Sequence, residues 1–177
     1  MFFNSLTFAV FLPIVFLLYW FVFSKTKSTQ NAFLVVVSYY FYSCWDWRFL
    51  FLLLFSTLLC YLTGIQIEKS AGERERKFWF WLSIIFNLGF LAIFKYYNFF
   101  AFSFSEALNK IGIHSSPLLL DVILPVGISF YTFHGLSYVI DIYYKRINSE
   151  KDVIDYALFV SYFPLLVAGP IERATHL

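Results

Sequence analysis

Charge is what this sequence has least of. Asp, Glu, Lys and Arg make up 14% of its 177 residues, where a soluble domain carries about 25%. With 60% of the residues hydrophobic and a mean hydropathy of +0.71, too little polar side chain remains to cover a water-facing surface. A formal charge of +2, with no basic stripe, excludes a nucleic-acid binder. Cysteine is also scarce. Cys44 and Cys60 both fall within apolar runs, which speaks against a disulfide framework or a metal site and leads us to expect two thiols buried in lipid or in packing. Soluble-enzyme signatures are missing: there is no GxSxG, no P-loop, no GxGxxG after a strand and no HExxH. His114 and His176 have no metal-ligand company. The apolar N-terminus lacks the basic start and small-residue cleavage site of a secretory signal, so it reads as a retained first span.

What is present is hydrophobic and aromatic. Aromatic residues make up 24% of the chain, 25 Phe and 13 Tyr among them, which suits lipid-facing surface and interfacial belts. Apolar runs alternate with short charged punctuation. Leu6 to Phe23 reads as a first span, with Pro13 tolerable in a membrane helix. Asn31 to Cys44 reads as a second, short or tilted span, and Phe49 to Ile67 as a third. Glu68 to Lys77 (EKSAGERERK) reads as a solvated loop, Phe78 to Phe94 as span four, and the mixed stretch from Asn98 to Leu120 as interfacial. Asp121 to Tyr144 reads as span five. Tyr156 to Ala168 is apolar but short, a partial or re-entrant element interrupted at Gly169-Pro170. About 20 apolar residues cross a bilayer as a helix, and none of these runs shows the alternation of a barrel strand. The expected fold is therefore all-α: a polytopic membrane helix bundle of about five to six spans, residues 1–177 forming one transmembrane region with no repeat and no soluble domain.

Placing the N-terminus outside puts Lys25, Lys27, Lys69, Arg74, Arg76, Lys77, Lys145, Arg146 and Lys151 on the inside. It leaves Arg48, Lys95, Lys110 and Arg173 outside. Nine against four favours that orientation by the positive-inside rule, provided the second run is a true crossing.

Two stretches carry more than grease. In LPVGISFYTFHGLSYVIDIYY, from Leu124, the residues Gly127, Tyr131, His134, Tyr138 and Asp141 recur at spacings of four and three, one face of a helix. Val126, Ile128, Phe130, Phe133, Leu136, Val139 and Ile140 fall opposite and can meet lipid or packed side chains. Ionisable groups within spans are costly and turn toward a bundle interior or cavity. Two readings are open: a functional cavity lined by the stripe, or hydrogen bonding between helices with Asp141 at the interface beside Lys145 and Arg146. In YFPLLVAGPIERATHL, from Tyr162, Gly169-Pro170 breaks a helix just before Glu172 and Arg173. Non-helical backbone at membrane depth persists where protein buries it or water fills a cavity, so this is either a cavity wall or the water boundary at a helix end.

At these two stretches the sequence resembles the membrane-bound O-acyltransferase (MBOAT) family, in the branch of the bacterial alginate O-acetylation and teichoic-acid D-alanylation proteins. The match rests on LPVGISFYTFHGLSYVIDIYY followed, after a short basic loop, by FVSYFPLLVAGPIERA. The openings MFFNSLTFAVFLPIVFLLYW and SYYFYSCWDWRFLFLLLFST extend it over nearly the whole chain. The resemblance implies O-acyl transfer, with no bound cofactor, from acetyl-CoA or another cytoplasmic acyl thioester to hydroxyls of an exported or envelope polysaccharide such as alginate. It also implies the bacterial inner membrane as the location, and periplasmic or membrane acetylation proteins as partners. The family's general-base histidine is expected downstream of Leu177, in the catalytic part of a longer protein. Gly127, Tyr131, His134, Tyr138, Asp141, Gly169, Pro170, Glu172 and Arg173 are carried over only as lining or support of the cavity, and no catalytic residue is assigned to this stretch. The alternative is a small membrane transporter or assembly subunit without enzymatic activity.

Overall fold

The computed structural model describes residues 5–111, 125–168 and 174. Among them every regular element is helical, as a chain that must satisfy its backbone groups within a bilayer requires. Helix α1 (Leu6–Leu17) starts where the Ser5 hydroxyl accepts the Phe8 N–H at 3.2 Å, and runs on through a π-helical turn, Leu18–Val22. Helix α2 (Lys27–Ser43) is capped by Thr26, which accepts from Thr29 N–H at 3.3 Å. Helix α3 (Trp47–Lys69) is capped by Asp46, which accepts from Arg48 N–H at 3.0 Å. Each cap satisfies one of the amides that an α-helix leaves without an internal partner.

Helix α4 (Glu73–Leu91) passes through a second π-helical turn, Ala92–Tyr96, straight into α5 (Tyr97–Lys110). Helices α6 (Ile128–Tyr143), α7 (Val153–Ser161) and α8 (Phe163–Ala168) complete the series. Two helices have the length and composition to cross a membrane, Trp47–Lys69 and the continuous Glu73–Lys110; the shorter apolar helix Leu6–Val22 has 17 residues.

Several boundaries differ from the sequence reading; span five, for one, becomes helix only at Ile128, after Pro125, Val126 and Gly127. The charged stretch from Glu68 to Lys77 is mostly helix, with only Ser70, Ala71 and Gly72 between α3 and α4. Glu73 pairs with Lys77 one turn later (3.4 Å), and acidic residues in a first turn complement the helix dipole, so these charges extend α4. The segment after Asn98 is also helical, as far as Lys110. It contains neither Gly nor Pro, and Glu106 pairs with Lys110 at 3.3 Å. The second span begins earlier than expected, at Lys27.

The last apolar run breaks at Tyr162, before the expected Gly169-Pro170, which lies outside the described residues together with Glu172 and Arg173. The start of α8 shows how the break is satisfied. Phe163 N–H donates to Ser38 Oγ on α2 (3.2 Å), Pro164 has no N–H, and the amides of Leu165 and Leu166 both donate to Tyr162 O (3.0 Å). Proline in a first helical turn removes only a donor that would lack a partner there.

Helix α3 is the hub, packing against α4 and α6 and also touching α2 and α7. Leu53, Cys60 and Ile67 of α3, Tyr138 and Val139 of α6, and Tyr156 of α7 are all but completely buried in one core. Val15, Val37, Phe41 and Phe163 join α1, α2 and α8 in a second. Outward faces stay apolar: Val10, Phe16 and Phe21 on α1, and Phe78, Trp81 and Ile85 on α4, are all more than half exposed. In water such a surface would be an aggregation site; in lipid it is the solvated face.

The helices also sort their ends. Asn31, in the first turns of α2, donates to Asp155 at the start of α7 (2.7 Å), and Glu68 at the end of α3 reaches Ser149, just before α7. The α1–α2 turn, the α3–α4 turn and the α6–α7 loop therefore share one end of the bundle, with Lys25, Lys69, Arg76, Lys145 and Arg146 among their charges. At the opposite end Phe49 meets Phe94 edge-on (6.2 Å), and Lys95 Nζ donates to Ser129 Oγ (3.3 Å).

Candidate functional site

Helix α6 carries most of the polar stripe, and its first residue is fixed by space. Gly127, at φ 75°, caps the helix in the left-handed region, and a Cβ there would lie 2.5 Å from the Leu166 carbonyl oxygen. Only glycine combines that backbone conformation with so close an approach. The contact brings the start of α6 onto α8, so the two informative stretches of sequence form one structural unit.

The remaining stripe residues follow down the helix, each buried to within 3% exposure. Tyr131 sets its phenol beside that of Tyr42 on α2; the two do not form a well-aligned hydrogen bond. The His134 ring meets Phe159 of α7 edge-on at 5.5 Å. The Tyr138 ring packs on Tyr156 of α7 at 4.4 Å, and its hydroxyl accepts the Glu150 N–H at 3.0 Å. Asp141 Oδ1 accepts from Arg146 Nη1 at 3.0 Å, while its second oxygen is buried without a hydrogen bond. Ile128, Leu136 and Val139 on the other side are buried too, and Phe133 is the exposed exception at 40%. Helix α6 is thus enclosed on nearly every side, and its stripe faces packed helices and the α6–α7 loop.

That loop is held by side chains from the helices. Besides the Tyr138–Glu150 bond, Glu68 accepts from both the N–H (3.0 Å) and the hydroxyl of Ser149, and Tyr61 Oη donates to Lys151 O (2.7 Å). Beside it opens a cleft of about 430 Å³ between the ends of α3 and α6 and the start of α4. Arg76 and Lys145 line its polar side, and Ile67 and Ile142 its apolar side. Arg76 donates to the Tyr143 carbonyl and lies 5.2 Å over that ring, which stacks on Phe80 at 4.2 Å. A second groove of about 270 Å³, lined by Leu12, Tyr19, Leu34 and Tyr162, is largely apolar and sits where α1 passes the α7–α8 break. None of the stripe residues lines either cleft.

One polar cluster escaped the sequence reading. Ser56 of α3 donates to Asn87 Oδ1 on α4. The Asn87 amide donates to Cys60 Sγ (3.2 Å) and to Ser83 O (2.9 Å), and Cys60 lies 3.5 Å from Ser83 Oγ. Gly64 and Gly135 let α3 and α6 close together beside it: a Cβ on Gly64 would meet Tyr138 at 2.6 Å, and one on Gly135 would meet Cys60 Sγ at 2.8 Å. The signal was a four-residue spacing of small and polar residues, Ser56-Cys60-Gly64 on α3 and Ser83-Asn87 on α4, the pattern of close helix pairs in membranes. Of the two cysteines, Cys60 is packed in the core, and Cys44 stands on the protein's surface at the C-cap of α2. Nearby, hydrogen bonds from Arg48 hold the Asp46 carboxyl below its ordinary pKa.

No protein-family model matches the chain, and no solved structure does. Curated relatives do. The chain is 39% identical over 166 residues to the probable alginate O-acetylase AlgI of Pseudomonas aeruginosa, covering 93% of this chain and 31% of that protein. It is 38% identical to the AlgI of Pseudomonas syringae pv. tomato over the same shares. The peptidoglycan O-acetyltransferase of Helicobacter pylori is 31% identical over 187 aligned positions, covering 91% of this chain and 34% of that protein. The chain therefore spans about a third of the length of these relatives. Through α6 and the α7–α8 break alike, this helical membrane chain is thus similar to the alginate O-acetylases over about a third of their length.

Proposed function

We propose that this chain is part of a membrane-embedded O-acyltransferase of the MBOAT type, which passes an acetyl group from a cytoplasmic thioester such as acetyl-CoA to hydroxyls of an exported or envelope polysaccharide. The observation that carries the proposal is the 38–39% identity to alginate O-acetylases over 93% of the chain. The chemistry asks for a thioester on one side of the membrane, a sugar hydroxyl on the other, and a base to take the hydroxyl proton. We assign this stretch the supporting part. Tyr131, His134, Tyr138 and Asp141 anchor α6 to α2, α7 and the loop, and α6 in turn fixes α8 through Gly127. Gly169, Pro170, Glu172 and Arg173 are proposed to continue that wall. We place the general base outside this stretch, in the remaining two thirds that the relatives possess. In this proposal the protein sits in the inner membrane with its basic end toward the cytoplasm, and works with periplasmic or membrane acetylation proteins.

The test is complementation. The complete open reading frame containing this stretch is expressed in an alginate-producing strain lacking its own alginate O-acetylase, and ester-linked acetate on the exported polymer is measured by NMR. Restored acetate is expected, and the same frame carrying Gly127→Val should restore far less. Protein present in the membrane with no acetate on alginate would reject this acceptor; none on peptidoglycan in a matching strain would reject the acetyltransferase reading.

A further inference from the structure

The helix end at Lys145 breaks a local rule. Helix α6 closes in a Schellman arrangement: Arg146 N–H donates to Asp141 O (2.8 Å) and Lys145 N–H to Ile142 O (2.9 Å). The residue between cap and exit in this motif takes the left-handed conformation and is usually glycine. Here it is lysine, at φ 58°, the one non-glycine residue with positive φ among the described residues. A side chain kept in a strained conformation points to a task for that side chain.

The surroundings indicate the task. Lys145 borders the 430 Å³ cleft together with Arg76. Two carboxylates border it as well, but Glu73 is paired with Lys77 and Glu68 accepts two hydrogen bonds from Ser149. Arg76 uses one guanidinium nitrogen on the Tyr143 carbonyl, which orients the fork and leaves further donors. The opposite wall, Ile67, Ile142 and Ile147, is apolar. The cleft lies where α3 ends, α4 begins and α6 ends, the level at which a bilayer presents its headgroups. A cationic rim against an apolar wall at that depth suits an amphiphile with an anionic oxygen-rich head, and Arg with Lys is the pair that binds such a head.

We propose that the cleft between Arg76 and Lys145 is a binding site for a phosphate ester, with Lys145 kept at the glycine position of the helix cap because its ammonium holds the phosphate. This goes beyond the acyl-transfer proposal, and its test involves no acetyl transfer.

The test uses the purified product of the complete open reading frame in detergent, with native mass spectrometry counting bound lipid and a thermal melt recording stability. One arm offers phosphatidylglycerol against phosphatidylcholine; the other offers inorganic pyrophosphate. Lys145→Gly should raise the melting temperature of the lipid-free protein, because it relieves the strained backbone, and lower retention of the phosphate ligand at least five-fold. Lys145→Arg should keep retention. Retention of phosphatidylglycerol, competed by pyrophosphate, identifies a lipid headgroup as the source; binding of pyrophosphate without the lipid identifies a soluble phosphate. Binding in neither arm, or binding that Lys145→Gly leaves unchanged, would overturn the proposal. Arg76→Gln serves as the second variant and should weaken binding without raising the melting temperature.

Discussion

Gly64 and Gly135 stand where α3 and α6 come closest, and at both the missing Cβ is what permits the approach. Gly64→Ala would drive a methyl into the Tyr138 ring and Gly135→Ala into Cys60 Sγ. We expect each to cost about 1–3 kcal/mol, the usual penalty for overpacking a tight core. Gly89→Ala meets open space and should leave the thermal melt in detergent unchanged or slightly raised. A melt in which all three variants behave alike would contradict the close crossing. Asp46 offers a pH-dependent counterpart. Its carboxyl is held below its ordinary value of 3.8 by hydrogen bonds from Arg48, so its charged form contributes stability above that value. The contribution is lost as pH falls through the depressed pKa. The difference in melting temperature between the natural protein and Asp46→Asn should be constant from neutral pH to about pH 5 and shrink below about 3.9. These residues differ in how far sequence exposes them. The Asp46 cap is legible from its place before an apolar run, whereas what Gly64 touches is set by a helix more than seventy residues away.

Helices were legible wherever composition alone decides. α1 with its π-helical turn (Leu6–Val22) and α3 fall within two residues of the runs that predicted them, because apolar length leaves no other fold in lipid. The boundary in the stretch from Glu68 to Lys77 shifted because charge was taken there to mean loop. In ERERK the charges pair one turn apart and start a helix, and after Asn98 the polar residues ride on a helix that nothing interrupts. The stripe on α6 was readable as a face, but not its partners: Tyr42, Tyr156, Phe159 and the backbone of Glu150 come from three other parts of the chain. The α6–α7 loop gives this level its prediction. Tyr138→Phe keeps the ring on Tyr156 and removes only the acceptor for Glu150 N–H, a loss of about 1 kcal/mol. Trypsin should then cut after Lys151 faster than in the natural protein, while the melt falls by only a few degrees. Equal cleavage rates would show that the hydroxyl does not hold the loop.

The whole molecule has two unlike ends, one with the basic turns and one with Arg48 and Lys95. In the orientation proposed above the basic end faces the cytoplasm, and the natural cysteines can check it. Cys44 is exposed at the end away from the basic turns, and Cys60 is buried in the core. A membrane-impermeant maleimide added to spheroplasts should label Cys44 before lysis and leave Cys60 unlabelled until the protein is denatured. Labelling of Cys44 only after lysis would invert the topology. That the chain is a membrane helix bundle was plain from its scarcity of charge, and the family resemblance from two adjoining motifs. Their junction, Gly127 against the Leu166 carbonyl, required coordinates.

The loop between α6 and α7 has a consequence for how this protein can vary. Three of its ties run through the loop's own main chain, to the N–H of Ser149, the N–H of Glu150 and the carbonyl of Lys151, while the groups that grip it stand on α3 and α6. Its shape is thus written largely in residues that are not its own, to which Glu150 adds a carboxylate that accepts the N–H of Lys151 (2.8 Å) and of Asp152 (3.1 Å). Substitutions at Lys151 other than proline should drift freely with the loop unmoved, whereas Glu150 is held to an acceptor side chain, and proline at 149 or 150 would take away a donor that Glu68 or Tyr138 holds.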